Sequence, residues 1–410
     1  MRRNMRILTC FCILIILPIF IFAITRPAQG ASALPSQMGA TNQNFYFSTL
    51  ITQTETLTQA VDTSYYLPLI LKAPPPPPPS EWETRVVDAA NVFSDMTDRS
   101  LRQGADGLPS IAYGGAGLFY AVYDGSAWQI QTVDASANVG KYAALAIDGY
   151  GLPHISYYDA SARRLKYAHY SGTAWVIQYI DSLNNVGMYT SIAVDAGNVV
   201  HISYLDAKRK TLKYAKGAGT TWDIKTIDTL SVGKFTSLAL DSSKYPHISY
   251  YDFSSNPPNY NLKYAHWDGV EWKLQTVDIL GTVGEFSSLA IDFENQPHIS
   301  YYDNTNKDLK YAHWTGTYWD IKTVDSSGDV GSFTSIAVDD SAKPRIAYYD
   351  ATNGDLKYVS WTGSSWSFKI VDSTGVVGKF VSLVLTSSGL PRISYFDVTN
   401  SDLKIAIKNY

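Results

Sequence analysis

Hydrophobic and polar positions fall into three zones along the chain. An apolar run from Ile7 to Ile24 follows three arginines; a stretch with few charges, rich in Ser, Thr and Gln, covers 34–80 and ends in Pro74–Pro79. From residue 81 the pattern changes to short apolar and aromatic segments of five to seven residues separated by turn residues. "SLAID" (288–292), "HISYYD" (298–303), "LKYAHW" (309–314) and "WDIKTVD" (319–325) form one such set. "FENQP", "NTNK" and "TGTY" lie between them, and "SSGDVG" leads to the next set. Segments of that length, rich in Tyr, Ile, Val and Trp and bounded by Gly, Asn, Asp and Pro, predict four antiparallel strands. No helical period appears outside the first zone.

The set repeats. Trp82, Trp128, Trp175, Trp222, Trp272, Trp319 and Trp366 each open a copy of the fourth segment, at spacings of 46, 47, 47, 50, 47 and 47. "PHISYYD" occurs at 153–159, 246–252 and 297–303, with variants at 200–206, 344–350 and 391–397. Four short strands per ~45-residue unit predict one blade of a β-propeller. The last copy lacks its fourth strand, whereas the array opens on an orphan one, "WETRVVD" (82–88). The expected fold is therefore all-β: a seven-bladed β-propeller of four-stranded antiparallel blades over 81–410, closed by the N-terminal strand completing the last blade. "SLAID" would line the channel and "WDIKTVD" the rim.

The chain has 410 residues, a formal net charge of −4 and 45% hydrophobic residues. Residues 1–33 carry four Arg and no acid, and Ala31-Ser32-Ala33 resembles a leader-peptidase site, so 1–33 reads as a signal peptide or a retained anchor. The expected location is extracytoplasmic, secreted or held at the cell surface, with membrane contact only through an uncleaved N-terminus. Without 1–33 the chain has 29 basic and 37 acidic residues, which gives no global attraction for nucleic acid. Cys10 and Cys12 both lie in the leader, so no disulfide or cysteine site is expected beyond it. The prolines favour a polyproline II stalk; "YYLPLILK" (65–72) reads as a lone strand or a recognition tag.

The repeated polar residues read first as structure. The tyrosines of "SYY" should pack between blades. Asp148, Asp195, Asp241, Asp292 and Asp339 should bond the turn backbone two residues on. The Asp after "YY" (Asp252, Asp303 and Asp350 among them) faces "LK" (Lys263, Lys310, Lys357), predicting cross-strand pairs worth well under ~1 kcal/mol each, or a charged ring around one face. "D-x-T-N-x-D-L-K" lacks the ligand order and glycine of an EF-hand and reads as a turn. Three blades carry two histidines, but Arg345 and Arg392 replace one kind, and Lys216 and Ser360 the other. Arg cannot ligate a metal, so neither metal nor cofactor is expected.

Turns such as "HWDGVEW" (266–272) loosely resemble the Asp-box hairpin of the sialidase superfamily, matching at Gly269–Trp272 and not at its S-x-D-x-G start. That resemblance implies a blade turn; the arginine triad and Tyr–Glu pair of a sialidase have no counterpart. The ~47-residue unit and its W-x-G-x-x-W turns are also similar to lectin propellers such as tachylectin, which implies sugar sites at blade ends or interfaces. Trp267, Trp314 and Trp361 are the stacking candidates. Blade 4 carries an insertion, "FSSNPPNYN" (253–261), from which Tyr260 is expected to project. The candidate binding residues are thus Trp267, Trp314, Trp361, Tyr260, Asp252, Asp303, Asp350, Lys263, Lys310 and Lys357, with no catalytic set. A monomeric binding module is expected, its partner a surface glycan; the alternatives are a protein-interaction scaffold at the cell surface and a sialidase-like glycan-cleaving enzyme.

Overall fold

The computed structural model describes residues 81–90, 96–255 and 258–409. The segments expected to be a leader (1–33) and a linker (34–80), with "YYLPLILK", lie outside the described residues. Those residues form seven four-stranded antiparallel sheets, the blades of a propeller, and no helix. Blade 5 is representative: strand A Val283–Ile291, B Pro297–Asp303, C Asp308–Trp314 and D Trp319–Asp325, in that spatial order. The ring closes as expected. Trp82–Asp88 is strand D of blade 7, paired antiparallel with Asp402–Lys408 from Trp82↔Lys408 to Asp88↔Leu403.

Strand A is longer than "SLAID". It starts at the "VG" pair, expected to lie in the connection between blades, and runs nine residues through two register shifts. Gly284 stands in that irregular stretch at φ 104°, where a side chain would be strained. A Cβ there would lie 2.7 Å from Leu262 Cα, so glycine lets strand A press against strand C of the preceding blade. Blade 1 has no "VG" pair, and its strand A is only Leu101–Gln103. The preceding residues cross the channel instead. The Asp98 carboxylate accepts hydroxyl bonds from Ser237 (2.7 Å) and Ser288 (2.8 Å), and its carbonyl accepts from Ser335 (3.2 Å) and Ser382 (2.8 Å).

Each blade junction is buttoned by one carboxylate, buried in six of the seven and partly buried at Asp228. The Asp ending strand D accepts a bond from the first Tyr of "SYY" in the next blade: Tyr157–Asp134 (2.8 Å), Tyr204–Asp181 (2.9 Å), Tyr250–Asp228 (2.7 Å), Tyr301–Asp278 (2.8 Å), Tyr348–Asp325 (2.6 Å), Tyr395–Asp372 (2.6 Å) and Tyr113–Asp88 (2.5 Å). The same oxygen accepts from the "LK" lysine of that next blade in six junctions, Lys357 (2.5 Å), Lys404 (2.6 Å), Lys166, Lys213, Lys263 and Lys310. Where present, the expected cross-strand pairs are only long contacts, and the stronger partner is one the sequence did not indicate. Lys310 and Lys357 lie 4.0 and 3.7 Å from Asp303 and Asp350 of their own hairpins, and their short bonds go to the neighbouring blade. The geometric reason is length: the lysine stem reaches along its tyrosine ring, 5.5–5.7 Å from the centroid at Lys357–Tyr348 and Lys310–Tyr301, to the carboxylate beyond. At the lysine position of blade 1 stands Phe119, stacked on Tyr113 at 5.6 Å.

Burial raises the Asp325 carboxyl, and the bonds from Lys357, Tyr348 and Ser327 outweigh it, holding the group at about 2. Its folded value lies below the ordinary 3.8, so its contribution is complete above about pH 4 and is lost as pH falls toward 2. Asp325→Ala removes the short bond of the partly buried Lys357 and leaves it only Asp350 at 3.7 Å; it should cost about 3 kcal/mol, read as a fall in the urea midpoint. Lys357→Phe, which copies blade 1, should lower the midpoint by clearly less; equal losses would show that the carboxylate is not the centre of the junction.

Candidate functional site

The antiparallel topology gives the ring two faces. The A–B and C–D turns lie on one, here the lower; the B–C turns and blade connections lie on the upper. The candidate residues divide between them. Asp252, Asp303, Asp350, Lys263, Lys310 and Lys357 lie toward the upper face, where the lysines enter the junctions. Asp303 and Asp350 cap their own turns: Asp303 accepts from the Thr305 and Asn306 amides at 3.0 and 3.1 Å, and Asp350 from Asn353 at 3.0 Å. Asp252 accepts from the Ser254 amide at 3.0 Å, and burial raises its carboxyl. All three carboxylates are buried, so the alternating charges do not form an open ring. The blade 4 insertion is a small hairpin, Ser254–Ser255 with Pro258–Asn259. Tyr260 does not project from it; its ring stacks on Tyr251, centroids 6.5 Å apart at 20°.

The three tryptophans end strand C on the lower face, each opposite the blade tryptophan of strand D. Trp314 and Trp361 come together as parts of one cleft of about 350 Å³ between blades 5 and 6. Blade 5 supplies Asp292, Glu294 and Gln296 from its A–B turn, His298, Tyr311 and His313 from strands B and C, and Asp320 and Lys322 from strand D; blade 6 adds Pro344 and Trp366. Trp267 stands at another junction, with Lys225 5.4 Å from its ring centroid, as Lys322 is 5.6 Å from that of Trp361.

Local residues explain why this junction is open. At the position of these tryptophans the other blades have Tyr123, Tyr170, Gly217 and Lys408. The blade 4–5 junction has two tryptophans, Trp267 and Trp314, but Tyr245 stands against the blade 4 turn: a Cβ on Gly269 would meet its hydroxyl at 2.8 Å. Gln296 takes the place of Tyr245 in blade 5, and nothing lies within 4 Å of a Cβ on Gly316 in the matching turn.

The cleft floor is a buried polar chain. Asp292 Oδ1 accepts the Glu294 and Gln296 amides at 2.9 and 2.8 Å, the Asx turn expected from the sequence. Its Oδ2 lies 3.2 Å from His298 Nε2, and His298 Nδ1 is 2.6 Å from the Tyr311 hydroxyl. Burial foremost, then the neighbouring His313, lowers the His298 imidazole to about 4, so it is neutral at pH 7. The same motif recurs with Asp148–His154 and Asp241–His247, while Arg345 takes the histidine's place against Asp339 at 2.7 Å. On the cleft wall Lys322 pairs with Asp320 at 3.0 Å, both half-exposed.

A second cavity, about 240 Å³, opens at the upper mouth of the channel. Tyr142, Tyr189, Phe235, Phe286, Phe333 and Phe380 encircle it, with successive centroids 4.6, 4.9, 4.7, 4.5 and 4.8 Å apart. Each has φ between 51° and 56°, a left-handed conformation that aromatic residues rarely adopt. The signal in the sequence is the recurring "VG-x-F/Y", whose aromatic position is easily passed over as core. Asp98, aligned with these rings, forms the floor.

No family model matches the chain, and neither does any curated protein sequence. Among solved structures it is similar to ulvan lyase, a polysaccharide lyase, bound to -[GlcA(1-4)Rha3S]-: TM-score 0.55 and 12% identity over 79% of this chain and 95% of that one. YCF48 bound to D1 peptide gives 0.51 and 10% over 80% and 95%. A point mutant of the Aleuria aurantia lectin in complex with Fucα1-6GlcNAc gives 0.47 and 13% over 69% and 98%. At these identities the likeness is one of fold: the chain is a seven-bladed β-propeller.

The buried histidines give the fold a pH dependence. His201, His247 and His298 are each lowered to about 4, burial being the largest cause. Their folded values lie below the ordinary ~6.5, so their contribution is complete above about pH 6.5 and drains away toward pH 4. The urea midpoint should fall steadily from pH 7 to pH 4.5, and less steeply in His298→Gln; parallel slopes would contradict a neutral buried His298.

Proposed function

We propose that this is an exported, monomeric, non-catalytic propeller that binds surface glycan in the cleft between blades 5 and 6. The observation that carries the reading is the meeting of Trp314 and Trp361, from neighbouring blades, with an array of polar groups in one open cleft. A pyranose ring presents an apolar face suited to an indole and hydroxyls suited to Asp320, Lys322, Glu294 and Gln296. The differences between junctions favour one dominant subsite over equal sites in every blade. The aromatic collar at the channel mouth supports a second reading, in which an apolar side chain of a surface protein enters from the upper face.

A glycan array with the mature chain tests the first reading. Related sugars should bind, and Trp314→Ala or Trp361→Ala should each weaken them about tenfold, the loss of one stacking contact. Trp267→Ala should have little effect. A blank array would overturn the glycan reading and move attention to the collar; sugar release with turnover would overturn the non-catalytic one.

A further inference from the structure

We propose that Asp292, His298 and His313 form a site for one divalent transition-metal ion in the floor of the blade 5–6 cleft. Each offers one ligand atom, and the three atoms lie within 4.8 Å of one another, the one such group among the described residues. Two imidazoles and a carboxylate are a donor set for Zn²⁺, Co²⁺ or Ni²⁺, and the cleft leaves room for water or another ligand to complete the shell.

The surroundings aim these atoms. The backbone amides of Glu294 and Gln296 hold Asp292 Oδ1, which turns Oδ2 toward His298. The Tyr311 hydroxyl can accept from His298 Nδ1–H, the tautomer that presents Nε2 with its lone pair; a second partner of this kind orients a ligating histidine. The His313 ring makes no side-chain hydrogen bond among the described residues; it stacks on His298 and is half-buried, so it can turn toward the ion. Ligand atoms around a tetrahedral ion lie about 3.3 Å apart, so an edge of 4.8 Å would have to shorten by about 1.5 Å, which rotation of the His313 ring can supply.

The other blades supply internal controls. In blades 2 and 4 the second histidine stacks on its tyrosine: Tyr167–His169 and Tyr264–His266 centroids are both 5.4 Å apart. The histidine pairs there are 5.9 and 5.6 Å apart, against 4.3 Å for His298–His313. His169 Nδ1 and His266 Nδ1 are buried without a partner. Arg345 and Arg392 argue against a metal in every blade; they do not bear on a single site in blade 5.

The test is a Co²⁺ titration of the metal-stripped full chain, read by d–d absorption, with Zn²⁺ content measured after dialysis. Saturation near one equivalent is expected, with affinity reduced at least tenfold in His313→Ala and in Asp292→Asn and unchanged in His266→Ala. Zn²⁺ should also raise the thermal midpoint of the wild type and not of His313→Ala, whose far-UV spectrum verifies its fold. No saturable binding, or binding that survives His313→Ala or falls equally in His266→Ala, would overturn the site. The titration contains no glycan, so its outcome is independent of the sugar-binding reading.

Discussion

A single carboxylate at each blade junction is the interaction on which the ring depends. Strand D of one blade ends in Asp, and the next blade brings a tyrosine hydroxyl and, in six of the seven junctions, an ammonium to it. A buried ion pair of this kind adds little net stability over well-packed apolar residues, but a wrong neighbour or a slipped height would strand a charge at high cost. The clasp therefore sets blade-to-blade register. It acts near the upper ends of the strands. Toward the lower ends a blade tryptophan meets the strand C tyrosine of the preceding blade edge-on, as in Tyr311–Trp366 (5.6 Å, 77°) and Tyr264–Trp319 (5.2 Å, 74°). Six junctions are pinned at two heights in this way, with Ile405 in the tyrosine's place between blades 7 and 1, and the cleft walls of blades 5 and 6 inherit that rigidity.

Ring closure uses a different device at the axis. From blade 3 to blade 7 successive A strands are tied by an amide-to-serine bond, such as Leu289 N to Ser237 Oγ, and Leu101 N to Ser382 Oγ carries the series from blade 7 to blade 1. Asp98 bonds serines of blades 4, 5, 6 and 7. Blade 1 gives up most of an inner strand so that this residue can stand in the channel. Its shortened strand A thus belongs to a central tie and is not a defect of the repeat.

The tryptophan spacing and the orphan first strand made the ring and its closure legible, because both follow from counting. The Asx turns were legible too, since Asp292 and Glu294 are close in sequence. The clasp was not. Lys357 has Asp350 seven residues away and Asp325 thirty-two away, and a single sequence shows the nearer partner first. The Asp98 tie has no copy elsewhere among the described residues, so repetition could not reveal it. Trp314 and Trp361 stand out by their chemistry, but that they share a cleft while Trp267 does not depends on Tyr245 and Gln296, whose difference means nothing until the turns are placed in space.

Within-chain variation then separates scaffold from site. Positions nearly constant among the copies, the "SYY" tyrosine, the strand D aspartate and the "LK" lysine, point into junctions and are largely buried. Positions that vary line the lower face: Leu152, Val199, Tyr245, Gln296, Lys343 and Leu390 before strand B, and Tyr123, Tyr170, Gly217 and Lys408 against three tryptophans at the end of strand C. Seven identical junctions would give either seven equal clefts or none. A fold whose clasp tolerates free choice at the opposite end of each junction can open them unequally: about 150 Å³ between blades 7 and 1, lined by Arg85, Tyr123, Trp128 and Arg392, and about 350 Å³ between blades 5 and 6, where two tryptophans meet.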